Sequence, residues 1–292
     1  MNLPPQMLLV LATILWGGNF VIGRAVSDDI PPFTLALLRW FVALIVFLPI
    51  VIKKLKMDWP KLKANYPAVI LMAITGVAAF NTLVYIGVHY TTSINASLMN
   101  SSTPIMIYIL SFIFLKDRLN WKQIVGTAIS LVGVLFILTS GSLSQLFSMQ
   151  FNKGDLIVLI AVLCWAIYSI VVKRNAGKLP GDTTFFATIV LGFILLIPFA
   201  SYELTTTNIS INWSLSTVAA IIYVGTFASI VAFLSWNKGV VAIGANRASI
   251  FLNFIPLFAT IFAALFIGET PTIAQLVGGL AIVIGVIIAN RK

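Results

Sequence analysis

Ser97, Asn100, Ser101, Pro104 and Tyr108 follow one another at steps of three or four and continue to Ser111, so they form one stripe along a helix. Ser249, Asn253, Pro256 and Thr260 make a second such stripe 152 positions later. Hydroxyls and amides are costly against lipid, so both stripes must face protein or water. They can line a polar cavity or bond neighbouring helices, and the cavity is the expectation tested below. Pro104 and Pro256 each remove a backbone hydrogen bond and release a carbonyl, so each predicts a bend that serves as a hinge or as a static kink.

Other groups of the same kind fall at corresponding places. Asn81, Tyr85 and His89 are spaced i, i+4, i+8, and Ser229, Phe233, Trp236 and Asn237 occupy the equivalent region further on. Trp16, Asn19 and Phe20 stand near the start, with Trp165, Tyr168 and Ser169 opening the second half. Aromatic rings supply contact area and cation–π attraction while amides and hydroxyls fix polar ends, a combination suited to a small zwitterion or aromatic solute. The expected substrate-binding residues are therefore Trp16, Asn19, Phe20, Asn81, Tyr85, Ser97, Asn100, Ser101, Tyr108, Trp165, Tyr168, Ser169, Phe233, Trp236, Ser249 and Asn253. His89 is a candidate for proton coupling because its unperturbed charge changes near neutrality, with capping or snorkelling as the plainer role. Trp40, Trp59, Trp121 and Trp213 are expected in the interfacial aromatic belt.

Absences narrow the chemistry. One cysteine, Cys164, and one histidine cannot assemble a usual Cys/His metal site, and no cofactor or metal is expected. No Asp or Glu falls in the central part of an expected span, which removes both an intramembrane aspartyl protease and direct carboxylate-mediated proton antiport. No Gly-x-Ser-x-Gly elbow accompanies the histidine. No catalytic residue is expected, and the chain does not read as an enzyme.

Spans of apolar sequence must position these residues. Of the 292 residues, 60% are hydrophobic and 9% charged, with mean hydropathy +1.06, which excludes a soluble globular domain. Ten transmembrane helices are expected at roughly 5–25, 33–53, 68–88, 94–115, 120–140, 154–175, 183–202, 214–238, 244–267 and 271–290. The first is read as retained rather than cleaved, since no basic segment precedes it. With a cytoplasmic N-terminus, 15 of the 18 basic residues collect on the cytoplasmic side, only Arg24 and Lys153 lie opposite, and Arg39 falls inside the second span. The expectation is a multi-pass protein of the cell membrane with both termini cytoplasmic. The net charge of +10 is thus a topology signal and not a nucleic-acid footprint. The expected partners are the bilayer and a small-molecule substrate, with a monomer favoured over an obligate oligomer.

The chain repeats itself. At a constant shift of 152, residues 85–134 match 237–286 at a dozen positions, including Gly87 with Gly239, Pro104 with Pro256, Gln123 with Gln275, Gly126 with Gly278 and Gly133 with Gly285. Upstream the register slips slightly, and Trp16 aligns with Trp165. The halves are expected at 1–140 and 154–292, joined by a linker over 141–153. Five helices per half is odd, so equivalent helices cross in opposite senses and the repeat is inverted, the usual construction of secondary transporters.

Leu15-Trp16-Gly17-Gly18-Asn19-Phe20, Leu38-Arg39-Trp40-Phe41, Ala96-Ser97 through Pro104 with Asp117, and Ala248-Ser249 through Pro256 with Gly268-Glu269 occur in order. In these residues the whole chain resembles the EamA-type family of the drug/metabolite transporter superfamily. The resemblance implies an all-α membrane protein with two inverted five-helix repeats and a central cavity lined mainly by helices 1, 3, 4, 6, 8 and 9. It also implies transport of amino acids, other metabolites or drugs. The family's second helix looks peripheral, so Arg39 is expected to snorkel or to make a structural bond. Lys116 departs from the glycine common before the acid, and Cys164-Trp165-Ala166-Ile167 departs from the Trp-Gly pair of the first helix. The reading is a secondary transporter of small organic metabolites, an exporter of amino acids or similar polar or aromatic solutes working by alternating access. Transport of multiple drugs, cationic compounds or nucleobases on the same fold is the alternative, and a non-transporting membrane scaffold or an intramembrane enzyme is a remoter one.

Overall fold

The computed structural model describes residues 3–26, 29–88, 90–91, 93–142, 144, 147, 150–206, 211, 213–267 and 272–291. The side chains of 20, 23–25, 93–95 and 267 are outside that description. His89 and Glu269 lie outside the described residues, as does the side chain of Phe20.

The chain is an all-α membrane protein. Helix α1 (Pro5–Ala25) is followed by nine helical runs that, among the described residues, are long and apolar enough to cross a membrane. These are α2 (Pro32–Ala64), α3 (Tyr66–Val88), α4 (Ala96–Leu115), α5 (Trp121–Thr139), α6 (Lys153–Arg174), α7 (Gly181–Thr206), α8 (Leu215–Ile243), α9 (Ala245–Phe266) and α10 (Ile273–Asn290). Large apolar side chains such as Phe112, Phe114, Leu265, Phe266, Ile273 and Leu276 point outward, as a lipid-facing surface requires.

Helix α2 runs eleven residues past its expected end, through Pro60 to Ala64. Past Val51 the sequence becomes amphipathic, burying Asp58 and Leu62 while its lysines stay out, and one buried face is enough to hold a helix there.

The inversion is visible in glycine contacts. A Cβ on Gly126 would lie 2.5 Å from the Gly285 carbonyl oxygen, and one on Gly133 would lie 2.5 Å from that of Gly278. Under the 152-residue shift these two contacts exchange, and the number rises along α5 as it falls along α10. The helices are antiparallel and related by a pseudo-two-fold axis, touching backbone to backbone because only glycine permits it. The same operation relates Gly87 of α3 packed on Val158 of α6 to Gly239 of α8 packed on Leu9 of α1. The first helix of each half therefore packs on the third helix of the other.

Paired devices fix the helix ends. Asn120 with Gln123 opens α5 and Thr272 with Gln275 opens α10, each as a reciprocal capping box; the matched glutamines of the repeat thus do the same work twice. At one end of the antiparallel α2/α7 pair, Glu203 accepts from the backbone N–H groups of Phe33 (3.1 Å) and Thr34 (2.7 Å) and from the Thr34 hydroxyl (2.8 Å). At the other, Asp58 accepts from the Thr183 hydroxyl at 2.8 Å. Each acid sits where a helix N-terminus presents unpaired donors.

Candidate functional site

Two corresponding helices loosen at corresponding places. Residues Ala73–Ala79 of α3 and Val224–Val231 of α8 are wound as π-helix, and the 152-residue shift lays one on the other. A π segment displaces backbone carbonyls from their usual partners, and here tryptophans use them. The Trp40 indole N–H donates to the Val77 carbonyl at 3.1 Å, and the Trp16 indole N–H to the Ala228 carbonyl at 3.0 Å.

Between these segments lies a closed aromatic layer. Trp165 is its hub, with ring centroids 4.8 Å from Phe80, 5.2 Å from Trp16, Tyr168 and Phe233, and 5.7 Å from Trp236. Phe233 extends it to Trp40 and Phe185, each at 5.4 Å. Most pairs are edge-on or offset, the arrangements that ring quadrupoles favour. The sequence-expected Trp16, Trp165, Tyr168, Phe233 and Trp236 are thus brought together and buried. Ser169, also buried, accepts from the Trp236 indole at 3.3 Å. Trp40 belongs to this layer and not to an interfacial belt: it is fully buried, because the π segment offers its N–H a carbonyl that lipid could not. Trp59, Trp121 and Trp213 are exposed.

Below the layer is a cavity of about 400 Å³, bordered by Lys54, Asp58, Tyr168, Phe185, Asn237 and Lys238 among others. It sits at the lysine-rich end of the bundle. Tyr168 and Asn237 form its inner limit, hydroxyl and amide at 2.8–3.0 Å. Of the sequence-expected binding residues only Tyr168 borders this cavity.

Most residues of the two polar stripes are occupied elsewhere. Asn253 is fully buried and donates to Ser130 at 2.9 Å, pinning α9 to α5. Ser249 donates to the Asn246 carbonyl at 2.8 Å, Ser101 to the Ser97 carbonyl at 2.9 Å, and Tyr108 shares a hydrogen bond with Thr127 at 2.6 Å. In this conformation Asn253 and Tyr108 bond across to α5, while Ser249 and Ser101 bond back to carbonyls of their own helices, arrangements that periodicity could not separate from cavity lining. Asn19 Oδ1, Asn253 Oδ1 and Ser111 Oγ are buried with no partner.

Both prolines disturb their helices. Helix α4 is interrupted at Ser102 before Pro104, and α9 tightens to 3₁₀ over Ile250–Asn253 before Pro256. The carbonyl that Pro104 would orphan, that of Asn100, accepts the Thr103 hydroxyl, so it is not free for a ligand. Lys116 ends α4 with φ 57°, the left-handed conformation that explains why glycine is usual there. Asp117 beside it accepts from Asn246 at 3.2 Å and ties α4 to the start of α9.

Arg39 neither snorkels nor sits at the periphery. Its side chain is fully buried, with Nε donating to Ser229 Oγ at 2.9 Å and Nη1 to Asn81 Oδ1 at 2.9 Å and to the Tyr85 hydroxyl at 3.1 Å. A guanidinium inside an apolar span was the available signal, and the expected structural bond is present three times over. Asn81 and Tyr85 accordingly face Arg39 and not the cavity.

Among the described residues no group of three or more His, Cys, Asp or Glu could hold a metal.

Comparison with known proteins gives the fold and aromatic layer a context. The model of the EamA-like transporter family matches residues 4–139 and 152–291. An uncharacterized transporter of Bacillus subtilis, YyaM, is 30% identical over 289 residues, 97% of this chain and 92% of that protein. An uncharacterized transporter of Archaeoglobus fulgidus is 25% identical over 100% of this chain and 99% of its own. A probable terminal-alkyne amino-acid exporter of Streptantibioticus cattleyicolor is 25% identical, covering 97% and 92%. One crystal structure superposes with TM-score 0.80 at 18% identity over 98% of this chain and 96% of that one, a likeness of fold. With both halves matched by one family model and relatives along the full length, the chain belongs to the EamA-like transporter family, as a multi-pass membrane transporter of the drug/metabolite type.

Proposed function

We propose that this transporter exports amino acids or similar polar or aromatic solutes from the cytoplasm, by alternating access of its two halves about the aromatic layer. The observation that carries the reading is the Tyr168–Asn237 hydrogen bond between the lysine-rich cavity and the buried rings. The lysine-rich end is the cytoplasmic one by charge bias, so the cavity is where an exported solute enters. The inverted repeat supports alternation. Tyr168 and Asn237 correspond to Asn19 and Tyr85 in the first half, and Asn19 Oδ1 is unpartnered. A bond between that second pair would close the opposite side when the first opens.

Rings and a few amides suit a zwitterion with an apolar side chain, and a relative named as a probable amino-acid exporter agrees in class. The protein acts as a monomer in the cell membrane, and no covalent chemistry is assigned to it.

The test is counterflow of labelled neutral and aromatic amino acids in proteoliposomes of purified protein, with and without an imposed pH gradient. Saturable flux that Trp165→Ala or Tyr168→Ala abolishes is the expected result. Movement of cationic drugs or nucleobases in place of amino acids overturns the substrate class, and flux unchanged in both variants overturns the assignment to the aromatic layer.

A further inference from the structure

Arg39 carries an unsolved electrostatic problem. A guanidinium keeps its proton in proteins, and burying it without a counter-charge is strongly unfavourable. Among the described residues no carboxylate lies within ion-pair distance of it. Its three hydrogen-bond partners are neutral, and the Trp40 ring, 5.1 Å from the guanidinium carbon, adds cation–π attraction. The second terminal nitrogen, Nη2, is buried with no acceptor.

The neighbouring amide has the same deficit. Arginine can only donate, so the Asn81 oxygen must be the atom facing it, and this leaves Asn81 Nδ2 as the outward donor. Nδ2 is also buried and unpartnered. Two unmet donors therefore stand on groups already joined by one 2.9 Å hydrogen bond. Such a pair matches the two oxygens of a carboxylate, which pairs with a guanidinium more strongly than any neutral acceptor does.

Its place in the bundle connects it with the transport path. Along α8, Asn237, Phe233 and Ser229 stand at i+8, i+4 and i on one face. Asn237 limits the cavity, Phe233 belongs to the aromatic layer, and Ser229 holds Arg39. The order from the lysine-rich end is thus cavity, rings, cation. Each unmet donor carries a desolvation penalty in this conformation, and a bound carboxylate would remove both.

We propose that Arg39 and Asn81 form the binding site for the substrate's carboxylate, reached when the aromatic layer parts. The proposal rests on the amino-acid reading above and sharpens it: the transported solute bears an anionic carboxylate, and its carboxylate end leads from the cavity toward Arg39.

The experiment compares common amino acids with their own carboxamides in counterflow, in the unmodified protein and in Arg39→Gln. The expected result is at least a tenfold preference for acid over amide, falling to less than threefold in Arg39→Gln. A purely structural arginine would lower acid and amide flux alike, leaving the ratio unchanged, and that result overturns the proposal. Equal handling of acid and amide by the unmodified protein also overturns it while leaving amino-acid transport intact. If no amino acid moves through folded protein, both the function and this site fall together.

Should Arg39→Gln not fold, Asn81→Asp serves. Its carboxylate would occupy the substrate's place, raising the thermal unfolding midpoint and removing the acid preference. A retained preference in that variant overturns the proposal.

Discussion

Replacing Gly76 with alanine would drive a methyl group into the ring that limits the cavity. An added Cβ would stand 2.3 Å from Tyr168 Cδ2 and 2.7 Å from both Cε2 and Cγ. To reach an ordinary contact the ring must retreat by about 1 Å. It has nowhere easy to go, since Tyr168 is 1% exposed and packed 5.2 Å from the Trp165 ring and 5.9 Å from that of Phe233. The displacement also stretches the bond to Asn237 past hydrogen-bond length. Overpacking of this size costs about 1–3 kcal/mol, and the lost hydrogen bond about another 1 kcal/mol. The assay is a double-mutant cycle on thermal unfolding of purified protein at fixed scan rate, using Gly76→Ala and Tyr168→Ala singly and together. If the clash with the ring is the cause, Gly76→Ala costs several degrees in the native background and almost nothing once the ring is gone. An equal cost in both backgrounds would refute the reasoning, locating the strain in the π segment itself.

Lys116→Gly should raise stability by up to about 1 kcal/mol, because it relieves a left-handed residue at the end of α4; an unfolding midpoint that stays level or falls counts against that account. Glu203→Ala should cost about 2–3 kcal/mol, since it strips a buried carboxylate from the two N–H groups and the hydroxyl at the start of α2, and hydrogen exchange at Phe33 and Thr34 would report the fraying locally. Asp182→Asn should move stability by less than about 1 kcal/mol: its pair with Lys54, at 3.6 Å, is solvent-exposed, and a larger loss would mean that the pair is coupled to cavity closure.

Much of the molecule was legible in order of residues alone. The spans followed from apolar length, the inversion from an odd helix count per half, and the aromatic set from tryptophans and tyrosines at corresponding positions. Matched glycines and glutamines proved to have matched work, Gly126 and Gly133 against Gly285 and Gly278, Gln123 and Gln275 in equivalent capping boxes. A one-dimensional shift can reveal such pairs because symmetric packing demands the same residue type twice.

The polar stripes were legible only as stripes. Spacing places Asn253 and Tyr108 on a helix face, but whether that face meets a cavity or a neighbour depends on Ser130 and Thr127, far away in sequence. Trp40 illustrates the same limit: its type fits an interface, and what buries it is the Val77 carbonyl released by a π turn. Arg39 is the clearest division between the two levels. The sequence determined that a permanent cation stands inside an apolar helix; only the tertiary structure decided that Ser229, Asn81 and Tyr85 converge on it while two donors stay unmet. Hydropathy is a property summed along one helix, whereas the pairing of a buried charge is settled by whichever helices pack around it.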